Sequence, residues 1–144
     1  MSERVIRFSR DASYSDLLAA KFAQLRENAE LVDFCIKVEN KTFPCHKMLL
    51  ASLSPVLHKM MTTEMKEGKE NCVSLDHLSA PAVETILDYF YSGAFSCPSS
   101  LLLEVVRACH YLQVGLIRSY SISIYKRWVD NLLASKIERN VYNA

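Results

Sequence analysis

The sequence predicts an α+β fold in which a helical cluster is capped by a small, mainly three-stranded sheet. Apolar residues recur at spacings of three and four along most of the chain, which is typical of helices packed on a core. Alternation of apolar and polar residues is confined to 31–46, and a short strand-like run follows at 72–75. Because helices and strands do not alternate regularly, we expect no βαβ sheet.

The first predicted helix covers residues 13–30. Ser13 and Asp16 stand at its start with the spacing of a capping box. An amphipathic stripe of this kind is usually the inward face of a helix. The stripe consists of Leu17, Leu18, Phe22 and Leu25.

A β-hairpin is predicted over residues 31–46, with its turn at 39–41. Its first strand alternates apolar residues on one face, and these are Val32, Phe34, Ile36 and Val38. Asp33 is the one carboxylate in this oily strand, and an ionised group there needs a partner. His46 and backbone amides are the candidate partners, so a structural hydrogen bond is favoured over acid–base catalysis.

Two short helices are predicted in 47–61, because Ser54 is a good N-cap and Pro55 suits the first helical position. Later helices are predicted at 79–93, with Gly93 as C-cap, and at 99–114. The stretch 116–140 is also helical by pattern, although its end is not marked.

Charge and hydropathy limit the possible partners. Seventeen basic and sixteen acidic residues leave a net charge of +1, which does not favour nucleic-acid or anionic membrane binding. No apolar run approaches the roughly 18 residues of a membrane span, and residues 1–12 lack the apolar core of a secretory signal. We therefore expect a cytoplasmic or nuclear protein.

The residues that could carry chemistry do not form a recognisable site. The sequence contains no CxxC, nucleotide-binding loop, zinc-protease motif or nucleophile elbow, so we expect no metal, cofactor or catalytic residue. Cys45-His46 and Cys109-His110 are adjacent in sequence, but neighbouring side chains point in different directions. Buried free thiols and partnered histidines are the favoured interpretation for these pairs and for the other cysteines, Cys35, Cys72 and Cys97.

The segments 31–61, 83–93 and 101–114 together resemble the BTB/POZ family, and the resemblance extends over about residues 13–130. It is carried by residues in the family's order and spacing, namely Asp33, Phe43, His46, Lys47, Leu50, Ser54, Pro55, Tyr91, Gly93, Leu112 and Gln113. The resemblance implies a homodimeric protein–protein interaction module without enzymatic activity.

The family resemblance also implies an interface and domain limits. The first helices of two BTB subunits pack together, so Leu17, Leu18, Phe22 and Leu25 are predicted either to form this interface or to pack internally. The N-terminal segment 1–12 either exchanges a strand with the partner or is frayed. Residues 131–144 are expected to begin a helical extension after the domain.

The segment after the Ser54-Pro55 helix resembles that of BTB proteins that recruit the cullin-3 ubiquitin-ligase scaffold. Met65-Lys66-Glu67 fits their pattern of an apolar residue, any residue and glutamate, and Leu57 is expected to supply a further contact. Alternatively, Met65 folds onto its own helix. A cullin-3 adaptor would bind its substrate through regions outside this chain.

Two other functions remain open at this point. The chain could be the dimerisation domain of a transcriptional regulator or scaffold that binds a corepressor. It could also be an enzyme that uses Cys45 or Cys109, and such an enzyme would have a thiol of lowered pKa.

Overall fold

The computed structural model describes residues 3–7, 9–62 and 69–114, together with residues 123, 126, 127, 130, 133 and 134. Five α-helices and a three-stranded sheet are described from end to end, and they confirm the predicted α+β class of a helical cluster with a small sheet. In chain order the elements are α1 (Tyr14–Glu27), β1 (Phe34–Val38), β2 (Lys41–Cys45), α2 (Lys47–Leu53), α3 (Pro55–Thr62), β3 (Cys72–Ser74), α4 (Ala80–Ser92), a 3₁₀ turn (Ser99–Leu101) and α5 (Leu102–Leu112).

The sheet has the strand order β2-β1-β3, with β1 antiparallel to β2 and parallel to β3. The hairpin between β1 and β2 turns at Glu39, whose φ of 54° is left-handed. The alternation predicted the inner face of β1 correctly, because Phe34, Ile36 and Val38 are buried. The sheet therefore turns one face to the helical core and the other outward.

The corner between α2 and α3 depends on Ser54, the one buried polar residue among those described. Its Oγ accepts a hydrogen bond from the Leu57 N–H at 3.2 Å and so caps α3, as the sequence predicted. The same hydroxyl donates to the Leu112 carbonyl at the end of α5, at 2.6 Å. One side chain thus begins a helix and joins it to another.

Helix α4 is the central helix of the core and contacts α1, α2 and α5. Its apolar face includes Val83, Ile86 and Leu87, each about 1% exposed. The helix begins at Ser79, whose Oγ accepts from the Ala82 N–H, and ends at Gly93 in the left-handed conformation with φ of 75°. The C-cap at Gly93 agrees with the sequence prediction.

The start of α1 differs from the predicted capping box. The Ser13 side chain does not cap the helix, because its hydroxyl donates to Asp11 Oδ1 at 2.7 Å. The Ser13 N–H donates to the same oxygen, and these hydrogen bonds lower the pKa of Asp11. The turn before the helix therefore takes the hydroxyl that a capping box would use.

The predicted C-terminal helix over 116–140 lies mostly outside the described residues. The six described residues between 123 and 134 are helical and exposed. They are consistent with the helical pattern there, whereas the predicted extension at 131–144 stays a prediction.

The expectation of five free thiols is wrong for one pair. Cys35 and Cys72 form a disulfide between β1 and β3, across 37 residues of sequence. Their Cα atoms are 4.7 Å apart, because the parallel strands place the two residues directly opposite each other. Neither cysteine has a motif partner nearby in the sequence, so only the strand pairing reveals the bond.

Replacing Ser54 with alanine should destabilise the domain by about 2–3 kcal/mol, since it removes a helix cap and leaves the buried Leu112 carbonyl without its donor. The measurement is urea unfolding followed by circular dichroism. The matched control is Ser79→Ala, which removes only a cap and should cost about 1 kcal/mol. Equal losses in the two variants would contradict a structural role for the Ser54–Leu112 bond.

Candidate protein-interaction surface

Helix α1 leaves much of its apolar stripe uncovered, and none of its residues is fully buried. Leu17 is 58% exposed and Leu18 is 38% exposed. Further along the helix, Phe22 packs partly against the core and Leu25 is half-buried. The structure therefore separates the four predicted interface residues into an outward pair and a pair at the edge of the core.

A groove of about 410 Å³ lies beside this stripe, between α1 and α2. Its lining is largely apolar and consists of Phe22, Leu25, Leu31, Asp33, His46, Met48, Leu49 and Ser52. Leu31 and Met48 are 80% and 76% exposed, which is high for large apolar side chains. The exposed stripe of α1 and this groove form one apolar surface, which we call the α1–α2 surface.

Leu31 and Met48 were not identified from the sequence as parts of an interaction surface. A signal for Met48 was available, because 48–50 is a run of three apolar residues in a short helix. Successive helical residues are about 100° apart, so the three cannot all face the core. Here Leu50 is buried, Leu49 is half-buried and Met48 faces outward.

His46 lines the groove and is hydrogen-bonded at both ring nitrogens. Nε2 is 2.8 Å from the Glu30 carbonyl oxygen, and Nδ1 is 2.7 Å from the Tyr91 hydroxyl. A carbonyl can only accept, so the neutral imidazole carries its proton on Nε2 and accepts from Tyr91 at Nδ1. The Tyr91 oxygen in turn accepts the His46 backbone N–H at 3.0 Å.

Tyr91 also contacts a charged pair. The Arg26 guanidinium lies 5.0 Å from the centre of the Tyr91 ring, within the range of a cation–π contact. The same guanidinium donates to Asp88 Oδ1 at 2.9 Å, at an exposed ion pair. Helices α1 and α4 are therefore joined through Arg26 next to the groove.

Burial raises the pKa of Tyr91 to about 12, against an ordinary value of 10.0. The folded protein therefore holds the phenol proton more tightly than the unfolded chain does. The corresponding stability is fully present below pH 10 and is lost as the pH rises from 10 toward 12.

Asp33 is exposed at the start of β1, not buried in the strand as the sequence suggested. Its Oδ1 accepts the backbone N–H of Lys47 at 2.8 Å, at the first residue of α2. His46 precedes this helix but makes no side-chain cap. Of the two partners proposed for Asp33, the backbone amide is therefore correct and His46 is not.

The second predicted surface, at the end of α3, is described only in part. Met65 and Glu67 lie outside the described residues. Leu57 is fully buried in the core, so its side chain does not offer the predicted partner contact in this structure. A shallow depression of about 510 Å³ lies beside α3 and is lined by Pro55, Val56, Lys59, Met60 and Gln113.

The thiols outside the disulfide have raised pKa values, whereas a catalytic cysteine needs a lowered one. Burial raises the pKa of both Cys45 and Cys109 to about 12, and it also raises the pKa of Cys97. The Cys45 thiol faces the Phe34 carbonyl at 3.6 Å, while the His46 ring is bonded to Tyr91 and Glu30. The lowered thiol pKa expected of an enzyme is thus wrong for Cys45 and Cys109.

Within the described part of the chain, no cluster of three His, Cys, Asp or Glu side chains could hold a metal ion. No helix among the same residues is both long and apolar enough to cross a membrane.

Comparison with known proteins identifies a family. The model of the BTB/POZ domain matches residues 22–124. Kelch-like protein 26 of Danio rerio is 32% identical over 102 residues, which are 71% of this chain and 17% of that protein. Zinc finger and BTB domain-containing protein 7A of Gallus gallus is 27% identical over 113 residues, which are 78% of this chain and 20% of that protein.

The fold is also similar to a solved one, the BTB domain of human gigaxonin. The TM-score is 0.72 at 19% identity, and the match covers 85% of this chain and 99% of the gigaxonin domain. The chain spans only about a fifth of the length of the curated relatives that it matches.

Tyr91→Phe should destabilise the domain by about 1–2 kcal/mol at neutral pH, because it removes the hydroxyl that joins His46 to α4 but keeps the ring under Arg26. Urea unfolding measures the loss. The control is Asp88→Asn, which breaks only an exposed ion pair and should cost less than about 0.5 kcal/mol.

The pH dependence provides an independent check of the same side chain. Wild-type stability should fall more steeply than that of Tyr91→Phe between pH 10 and pH 12, because only the wild type loses the tightly held phenol proton. Parallel stability curves over this range would show that Tyr91 titrates as it does in the unfolded chain.

Proposed function

Because the chain belongs to the BTB/POZ domain family, we propose that it is a homodimerising adaptor domain that recruits cullin-3 to a ubiquitin ligase. The family assignment supports the broader role of a protein–protein interaction module. Substrate proteins would bind through regions outside this chain. The proposed compartment is the cytoplasm or the nucleus.

The proposal of a homodimer rests on the exposed apolar residues of the α1–α2 surface. Leu17, Leu18, Leu31 and Met48 expose apolar area that a monomer would leave in water. A two-fold dimer buries the same patch on both subunits, so one surface on one chain is sufficient to form it. The stripe of one α1 can pack on that of its partner, beside the paired grooves.

The N-terminal segment extends this proposal. Val5 and Ile6 are 75% and 80% exposed, and both are strand-forming residues. We propose that segment 1–12 pairs with the partner subunit, that the domain covers 13–130, and that 131–144 begins a helical extension.

The proposal of cullin-3 as partner rests on Met65-Lys66-Glu67, which follows α3 and matches the pattern expected of cullin-3 adaptors. The similarity to Kelch-like protein 26 is consistent with it. Because Leu57 is buried, we assign it the role of holding α3 in place. The contacts on this side would then come from the α3 depression, including the exposed Lys59 and the half-buried Met60.

A second candidate function is the dimerisation and corepressor- or scaffold-binding domain of a transcriptional regulator. The relative named for zinc fingers favours this alternative. Both functions require the same homodimer, so the cullin-3 surface is what distinguishes them.

Leu17→Glu should convert a wild-type dimer into a monomer, with a dissociation constant raised at least about 100-fold, since it places a charge in the apolar contact. Sedimentation equilibrium measures the masses. Leu103→Glu is the control, because Leu103 is also a partly exposed leucine, 39% exposed, but belongs to α5. A wild type that stays monomeric at micromolar concentration, or equal weakening by both variants, would contradict the proposed interface.

Calorimetric titration with the N-terminal region of cullin-3 tests the adaptor role. We expect wild-type binding between roughly −12 and −8 kcal/mol, and at least about 100-fold weaker binding by Met65→Asp/Glu67→Ala. The control is Thr42→Asp, which adds a charge on the exposed side of β2. Each variant is first shown by light scattering to keep the wild-type mass.

The titration of the variant tests the proposed cullin-3 contact, and the titration of the wild type tests the adaptor role itself. Equal binding by Met65→Asp/Glu67→Ala and wild type would place the cullin-3 contact elsewhere. No binding by a folded, dimeric wild type would favour the corepressor or scaffold alternative.

A further inference from the structure

Cys35 and Cys72 lie at one register position of the parallel strands β1 and β3. Their Cα separation of 4.7 Å is within the range that a disulfide spans without backbone movement. Backbone hydrogen bonds between the two strands fix this register. The Cys35 N–H donates to the Asn71 carbonyl at 3.1 Å, and the Leu75 N–H donates to the Lys37 carbonyl at 2.9 Å. The two sulfurs are therefore brought together by hydrogen bonds that do not depend on the S–S bond.

The pair lies on the face of the sheet that points away from the helical core. The neighbouring residues Phe34, Ile36 and Val73 are buried on the inner face, and side chains alternate along a strand. Both cysteines are half-buried, and the next pair on their face, Lys37 and Ser74, is exposed. Making or breaking the bond thus leaves the packed core unchanged.

We propose that Cys35 and Cys72 are a redox-responsive pair that switches between a dithiol and a disulfide within one fold. A hydroperoxide is the oxidant. One thiolate attacks a peroxide oxygen, the O–O bond breaks, and the sulfur becomes a sulfenic acid as hydroxide or alkoxide leaves and takes a proton from solvent. The second thiolate attacks that sulfur, the S–S bond forms as the S–O bond breaks, and the hydroxide that leaves is protonated to water. A small thiol returns the pair to the dithiol by exchange.

The chain's other thiols are less suited to this reaction. Cys45 and Cys109 are buried, and their pKa values of about 12 leave little thiolate at neutral pH. Cys97 is only half-buried but is not bonded to a second cysteine. Selective oxidation at the β1–β3 pair follows from the strand register and not from general thiol exposure.

The structural effect of the switch falls on β3, a strand of only three residues at the edge of the sheet. The bond closes a loop that contains β2, α2 and α3, because these elements lie between the two cysteines. Cross-linking such a loop lowers the entropy of the unfolded chain. The oxidised domain is therefore the more stable form, with β3 fixed to β1.

The test begins with the fully reduced, folded protein, treated with hydrogen peroxide and then alkylated after acid quenching. Relative to the untreated protein alkylated in the same way, we expect two fewer alkyl groups, a Cys35–Cys72 cross-linked peptide, and a melting temperature raised by roughly 5–15 °C. Reduced glutathione should restore the original mass and melting temperature.

Cys35→Ser and Cys72→Ser should each abolish the cross-link and the gain in melting temperature. Cys97→Ser is the matched control and should respond like the wild type. The proposal is overturned if the folded wild type keeps five free thiols after peroxide treatment, or if either serine variant retains the thermal gain. A bond that glutathione cannot reduce in the folded state would also overturn it, because the disulfide would then be permanent.

Discussion

The imidazole of His46 joins three segments that are distant in sequence. Its two nitrogens contact the Glu30 carbonyl after α1 and the Tyr91 hydroxyl on α4, and His46 itself stands between β2 and α2. Tyr91 is buried, so its hydroxyl would be costly to leave unbonded, whereas the Glu30 carbonyl belongs to an exposed residue. His46 is therefore one of the contacts that position α1 and α2, together with Phe22, Ala23 and Arg26 on α1, and it lines the α1–α2 groove.

The two faces of the sheet differ in chemistry. Its inner face carries Phe34, Ile36 and Val73 into the core, where the helices supply the remaining apolar contacts. Its outer face carries the Cys35–Cys72 pair, which lies away from that core. The proposed partner surfaces lie on the helices, so the proposed redox pair and the proposed interfaces occupy different parts of the molecule.

Most of the fold could be predicted because it follows local rules. Alternation of period two identified the inner face of β1, while Ser54-Pro55 and Gly93 marked helix ends by their capping chemistry. Features that depend on distant residues could not be predicted in this way. A backbone amide was predicted as a partner of Asp33, but the sequence does not show that it is the amide of Lys47, and Cys72 meets Cys35 only after β3 pairs with β1.

The candidate surface was predictable to a lesser degree. An amphipathic stripe identifies Leu17 and Leu18 but does not say whether a helix faces its own core or another chain. Only the fold shows that these two side chains point outward and that Leu57 points inward. Family resemblance indicated α1 as an interface helix, which stays a prediction, whereas the groove beside it, with Leu31 and Met48, follows from the packing of α1 and α2.

The weak attachment of α1 links folding to association in the proposed dimer. No α1 residue is fully buried, so the helix is held by the half-buried Phe22 and Ala23 and by the contacts of Arg26. A second copy that covers Leu17 would bind only the state in which α1 is helical and docked. By mass action, such a partner stabilises that state in proportion to its concentration, so the stability of the domain should rise with protein concentration as the dimer forms.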